Sequence, residues 1–224
     1  MGLTAENVAS QFDVSREDQD AYAVRSHQRA YDAQRDGRFK DEIIPIQVNS
    51  VEYTNVGPKV HTNIFDQDEF IRPDTTMEAL AKLRTVFKAD GTVTAGTSAP
   101  LSDGAGFVVL MSGDKVKELG VTPIARFVGY KAVGVDPKIM GIGPAYAIPE
   151  VLSLSNLSVE DIDLIELNEA FASQTIASIK EVGLDISRTN VNGGAIALGH
   201  PLGATGAMLT ARLLNEMGRR PDSR

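Results

Sequence analysis

The 224-residue sequence is 42% apolar, enough to bury a core, and its length suits one large domain or two small ones. Its 30 acidic residues against 22 basic ones leave a formal charge of −8, which argues against broad attraction to nucleic acid or anionic membrane. No apolar run approaches the roughly 18 residues that cross a bilayer, and the first residues lack a basic, apolar, cleavable signal pattern, so a soluble, cytoplasmic protein is the expectation. Cysteine is absent, which removes disulfides, thiolate metal sites and thiol nucleophiles from consideration.

Residues 4 to 36 read as helical in two pieces. Thr4 precedes the first, Ser15 with Asp18 forms a start box for the second, and Asp36-Gly37 stops it. Residues 42 to 49 alternate and are rich in Ile and Val, while residues 51 to 70 are polar and irregular, the pattern of short strands and a surface excursion. A helix is predicted from Thr76 to Leu83. Small residues from Thr94 to Pro100 then lead through Ser102-Asp103-Gly104 into the apolar run 107 to 111, which reads as a buried strand. Two strand-to-helix passages follow. In the first, residues 161 to 167 read as a strand and 168 to 180 as a helix ending near Gly183; in the second, a glycine-rich turn from Gly193 to Pro201 precedes an apolar helix over 203 to 217. Strands alternating with helices of this length predict an α/β layered architecture.

Two segments carry chemistry. The run from Asn192 to Gly206 holds His200 among five glycines, whose freedom at positive φ and lack of a side chain let backbone and substrate approach closely. Taken alone it reads first as a tight packing turn with a structural histidine; it lacks the Lys-Ser/Thr ending of a phosphate loop and the dinucleotide spacing. The string Asn168-Glu169-Ala170-Phe171-Ala172 stands where a strand hands over to a helix, a place from which side chains reach ligands, and where Asn168 also suits a helix cap. His27 on a helix and His61 in the polar excursion read as solvated surface residues, and Asp161 with Asp163 as a turn or cap. No cluster has metal-ligand spacing.

Taken together, the 168–172 string and Gly199-His200-Pro201-Leu202-Gly203-Ala204-Thr205-Gly206 resemble the thiolase family. Similarity continues through residues 1–9, 15–20, 39–45, 133–137 and 140–149, so it covers essentially the whole chain, and 140–149 with 168–174 is closest to degradative 3-ketoacyl-CoA thiolases of fatty-acid β-oxidation. The resemblance implies a layered αβαβα fold, here incomplete. Residues 1–101 would form a coenzyme A (CoA)-binding loop domain, 102–120 the closing strand and helix of the N-terminal domain, and 121–224 the C-terminal domain lacking its last strands.

By the same resemblance, His200 activates a cysteine nucleophile, and His200 with a water held by Asn168 stabilises the acetyl-CoA enolate oxygen. Arg72 would contact the CoA nucleotide and Phe87 would pack on CoA. Ala95 and Ala99 would line the pantetheine channel, and Met1, Ala170 and Phe171 would lie near the acyl and pantetheine path. Many relatives have serine where Ala99 stands, with Ser98 the neighbouring hydroxyl here. CoA is implied as a substrate, with acyl-CoA, and no tightly bound cofactor; a homo-oligomer is implied for the intact protein. Both family cysteines would lie outside this sequence, one before Met1 and one after Arg224, so a piece truncated at both ends and inactive alone is the expectation. Two other readings stand beside it: a noncatalytic CoA-binding or interaction fragment, and a biosynthetic acetoacetyl-CoA thiolase.

Overall fold

The computed structural model describes residues 1–220. Helix α1 (Gly2–Gln11) is followed at once by α2 (Arg16–Arg35), whose start is set by Ser15: its hydroxyl accepts from Asp18 N while Asp18 answers from the third position. Beyond them come the strands β1 (Ile46–Thr54) and β2 (Gly57–Phe65), then α3 (Met77–Ala81) capped by Thr76, and α4 (Gly113–Leu119). The second half holds α5 (Gly143–Leu154), α6 (Ala172–Val182), the single turn α7 (Ala195–Leu198) and the long α8 (Thr205–Arg219).

The core sits where α1, α2, α5 and α6 meet. Val8, Tyr22, Leu80, Ile142, Ile176 and Ile196 belong to one buried cluster. A smaller cluster joins Ala30, Ala33 and Phe39 to Ala197 and Leu198, with Ile43 and Ile71 packed on its flank. Burial of each large aliphatic side chain here is worth about 1.5–3 kcal/mol, so α7, only one turn long, is held by its neighbours and not by helix propensity. Polar ties reinforce the same contacts. Buried Glu6 on α1 accepts from Thr92 N at 2.9 Å and Val93 N at 3.0 Å, and Arg29 on α2 donates to Thr189 O at 2.6 Å.

Three strand expectations come out differently. The excursion 46–65 is a regular antiparallel hairpin, paired from Ile46↔Phe65 to Thr54↔Gly57, and not irregular chain. Residues 101 to 111 form no strand, and Phe107, Val109 and Leu110 are 86%, 85% and 78% exposed. The stretch 161–167 contributes one parallel bridge, Ile165↔Thr189. An apolar run becomes a strand only when neighbouring backbone takes its N–H and C=O groups, and β1–β2 is the only sheet among the described residues. Helix α6 begins at Ala172 and not at 168, because Phe171 is extended and bridges to Ser98. Its end at Gly183, in a left-handed conformation, and the stop of α2 at Asp36-Gly37 follow the sequence reading.

Candidate active site

Asn168 follows a peptide held from both sides. Asn190, itself at φ +48°, accepts from Leu167 N and donates to Leu167 O, both at 2.8 Å, and Gln174 Nε2 donates to Asn168 O at 3.0 Å. With its backbone fixed, Asn168 places Nδ2 3.3 Å from His200 Nε2. Its Oδ1 is buried and makes no hydrogen bond among the described residues, so the acceptor side of this amide is unspent.

His200 arrives from a separate segment and is anchored at three points. Its N–H points at Ser102 Oγ, 3.0 Å away, and Pro100 O, 3.3 Å away; Ser102 Oγ spends its own proton on Pro100 O at 3.0 Å. The third anchor is the ring nitrogen Nδ1, 2.7 Å from Thr205 Oγ1, whose hydroxyl lies 3.0 Å from Pro201 O. A threonine hydroxyl has one proton. With that proton on the Pro201 carbonyl, Oγ1 accepts from Nδ1–H and the lone pair of the neutral imidazole sits on Nε2, facing Asn168. Burial holds the ring below its ordinary pKa, which favours this neutral form. Gly199 makes the anchoring possible: it sits at φ +94°, and a Cβ there would lie 2.2 Å from Ser102 Oγ.

The two segments are joined by Glu169, which is 1% exposed. Its Oε1 accepts from Tyr22 OH at 2.9 Å and Asn190 Nδ2 at 2.8 Å, and its Oε2 accepts from Ser26 Oγ at 2.6 Å and Ile196 N at 3.2 Å. Ser26 Oγ in turn accepts from Gly194 N at 3.1 Å. A Cβ on Gly194 would stand 2.2 Å from the Glu169 carboxyl carbon, so glycine is required for this approach. Burial first, and then the adjacent carboxylate charge, push the Tyr22 phenol far above its ordinary pKa, keeping it a donor.

Around this pair the structure gathers most of the residues singled out from sequence. Ala99 N donates to Ala170 O at 3.0 Å, and Ser98 bridges Phe171, so the turn beginning at Ala95 lies alongside the 168–172 string. Phe87 meets Phe171 edge to face at 5.9 Å, and Gly2, beside Met1, lies so close that a Cβ would enter the Phe87 ring. Ser98 Oγ donates to Thr94 O at 2.7 Å, so its proton is used inside the turn and is not offered beside Ala99. Arg72 stands apart, exposed, with its N–H directed at His27 Nδ1, 3.2 Å away.

His27 departs from the surface position expected for it. It is 6% exposed and not a solvated surface residue, because residues 70 to 72 pass over α2 at that point. Glu169, Thr205, Ser102 and Asn190 also carry the geometry without having been singled out for it. Glu169 and Thr205 stand inside the two strings, where a buried acid and a hydroxyl among small residues were the available signals. Among the described residues no group of three or more His, Cys, Asp or Glu side chains is placed to hold a metal, and no helix is long and apolar enough to cross a membrane.

Two family models match the chain. The family described as thiolase, N-terminal domain, matches residues 1–114, and that described as thiolase, C-terminal domain, matches 121–223. The 3-ketoacyl-CoA thiolase of Bacillus subtilis is 54% identical over 221 residues, covering 98% of this chain and 56% of that protein. Among solved structures, the Bacillus anthracis acetyl-CoA acetyltransferase superposes with a TM-score of 0.92 at 48% identity, covering 99% of this chain and 54% of the other. Human mitochondrial 3-ketoacyl-CoA thiolase in complex with CoA gives a TM-score of 0.87 at 48% identity, covering 99% and 53%. The chain thus spans about half the length of the relatives it matches, and its fold is that of an incomplete α/β thiolase.

Proposed function

Because this chain belongs to the thiolase family, we propose that it carries the base, the enolate-stabilising donors and the CoA path of an acetyl-CoA C-acyltransferase that cleaves 3-ketoacyl-CoA in β-oxidation. The observation that carries this reading is the Asn168–His200 pair, 3.3 Å apart, with Nδ1 of the imidazole committed to Thr205 and Nε2 left with its lone pair. A general base needs such a fixed tautomer. In the reaction, Nε2 takes the proton of a cysteine thiol and the thiolate adds to the 3-keto carbon. The C2–C3 bond then breaks and its electron pair becomes the acetyl-CoA enolate, which takes a proton from the second cysteine thiol, while the acyl group stays on the first cysteine as a thioester until the thiol of a second CoA displaces it. Once protonated, Nε2–H and a water held by Asn168 are the two donors to the developing oxyanion, and Thr205 Oγ1 supports the imidazolium through Nδ1–H. Fixed donors at a developing charge are worth about 2.7–4 kcal/mol each when removed.

The CoA path runs along Ala95, Ala99, Ala170 and Phe171, with Phe87 and Met1 at its wall and Arg72 at the nucleotide end. Residues 1–101 serve as the loop domain, 102–120 close the N-terminal domain and 121–224 belong to the C-terminal domain; the intact enzyme is a homo-oligomer acting on acyl-CoA and CoA. The sequence contains no cysteine, so both thiols must be supplied from outside these residues and the chain alone does not turn over.

The test is thiolysis of acetoacetyl-CoA by the purified chain, and by the chain co-folded with the parts of the Bacillus subtilis relative that lie outside the matched 221 residues, which would supply both thiols. The expected result is activity only in the co-folded protein, lowered by at least about 100-fold on His200→Ala or Asn168→Ala. Turnover by the chain alone, or full activity of both variants, would sink the reading. The missing cysteine favours one second reading, a noncatalytic CoA-binding fragment, which is selected by CoA affinity with no turnover even after co-folding. Comparing acetoacetyl-CoA with longer 3-ketoacyl substrates separates the degradative from the biosynthetic enzyme.

A further inference from the structure

We propose that His27 is a positioning residue for CoA, acting through the Arg72 backbone to hold the nucleotide end of the binding path in place; this rests on the reading that Arg72 contacts the nucleotide. Arg72 is exposed and lies on a segment with no regular structure of its own. An arginine in that setting orders both its side chain and its backbone when it grips an anion, and the backbone share alone costs about tenfold in affinity.

The structure removes that share in advance. The Arg72 N–H is directed at His27 Nδ1, 3.2 Å away, and its C=O accepts from Thr75 N at 3.2 Å and Thr75 Oγ1 at 2.9 Å. Pro73, with its fixed φ, follows directly. The preceding residue, Ile71, packs on the cluster that contains Ala197 and Leu198, and Asp68 O accepts from Gln34 Nε2 on α2 at 3.4 Å. The segment is thus pinned along α2, and its last pin is an imidazole.

That pin works only while the ring is neutral. Nδ1 must present a lone pair, which places the ring proton on Nε2. Burial, and then the charge of Arg72, hold the imidazole down to about 4, against an opposing pull from Asp74. The clamp is therefore set throughout the neutral range, and a ligand's phosphates meet a guanidinium whose anchor is already formed.

The experiment measures binding of CoA and of pantetheine, which lacks the nucleotide, by titration calorimetry on the full chain. Four proteins are compared: wild type, Arg72→Ala, His27→Leu and His27→Asn, the last offering a carbonyl oxygen where Nδ1 stood. The expected result is about tenfold weaker CoA binding for Arg72→Ala and for His27→Leu, unchanged pantetheine binding in both, and recovery to within about twofold in His27→Asn. If Arg72→Ala weakens CoA and His27→Leu does not, the role of His27 falls while that of Arg72 stands. Equal loss of CoA and pantetheine in His27→Leu, or no recovery in His27→Asn, makes His27 a packing residue only. Unchanged CoA binding in Arg72→Ala, or no CoA binding by the wild type, overturns the reading of Arg72 and the inference with it.

Discussion

Two regions of this chain meet water in opposite ways. Around Glu169 a full negative charge is buried, yet four donors from three separate segments surround it and each polar partner is itself bound. Along residues 104 to 111 the side chains are largely apolar, yet they are exposed and their backbone joins no sheet. Between these two regions, burial follows satisfied hydrogen bonding and not side-chain polarity. A charged group with all its donors in place is stable inside, and an apolar run without backbone partners stays outside.

The largest test of that contrast is Glu169→Ala. It leaves four donors without their acceptor and should cost about 4 kcal/mol or more by urea unfolding, against about 1 kcal/mol for Tyr22→Phe, which removes a single donor. Equal costs would mean that the carboxylate is not the centre of the network.

A smaller effect separates a buried acid that has its donors from one that lacks them. Glu166 stands three residues before Glu169; its Oε2 is buried with no hydrogen bond among the described residues, and burial raises its pKa to about 8 in spite of Arg212. A raised carboxyl means that the folded chain keeps a proton that the unfolded chain sheds above its ordinary value of 4.5. Stability therefore falls as pH rises from about 4.5 to about 8 and levels off beyond. Glu166→Gln should abolish this slope, gaining on the order of a few kcal/mol over wild type at pH 8 and nothing near pH 4. A parallel pair of stability curves would refute it.

The smallest effect lies in the exposed run. Val109→Lys should change unfolding stability by less than about 0.5 kcal/mol, since the side chain is already in water. It should also reduce self-association in sedimentation velocity, because it breaks an apolar exposed segment. A loss of more than about 1 kcal/mol would show that Val109 is covered in solution.

The same contrast explains what the sequence disclosed. Helix starts at Ser15 and Thr76 and stops at Gly37 and Gly183 were legible because capping uses residues within a few positions of one another. Strands at 107–111 and 161–167 were overread because periodicity reports side chains and says nothing about which backbone lies alongside. Asn168 and His200 were legible as strings of residue types. His27 was not, because its burial comes from a segment 45 residues further along the chain. Glu169 stood in plain view beside Asn168, but its four partners come from residues 22, 26, 190 and 196, which no local pattern connects.

The short stretch from Ala99 to Ser102 behaves as a yoke. At one end Ala99 is tied to Ala170, two residues from Asn168; at the other, Pro100 and Ser102 hold the backbone of His200. A push on Ala99 therefore loads both arms of the pair together, and the 3.3 Å gap between amide and imidazole is spanned by one short stretch of backbone tied to both.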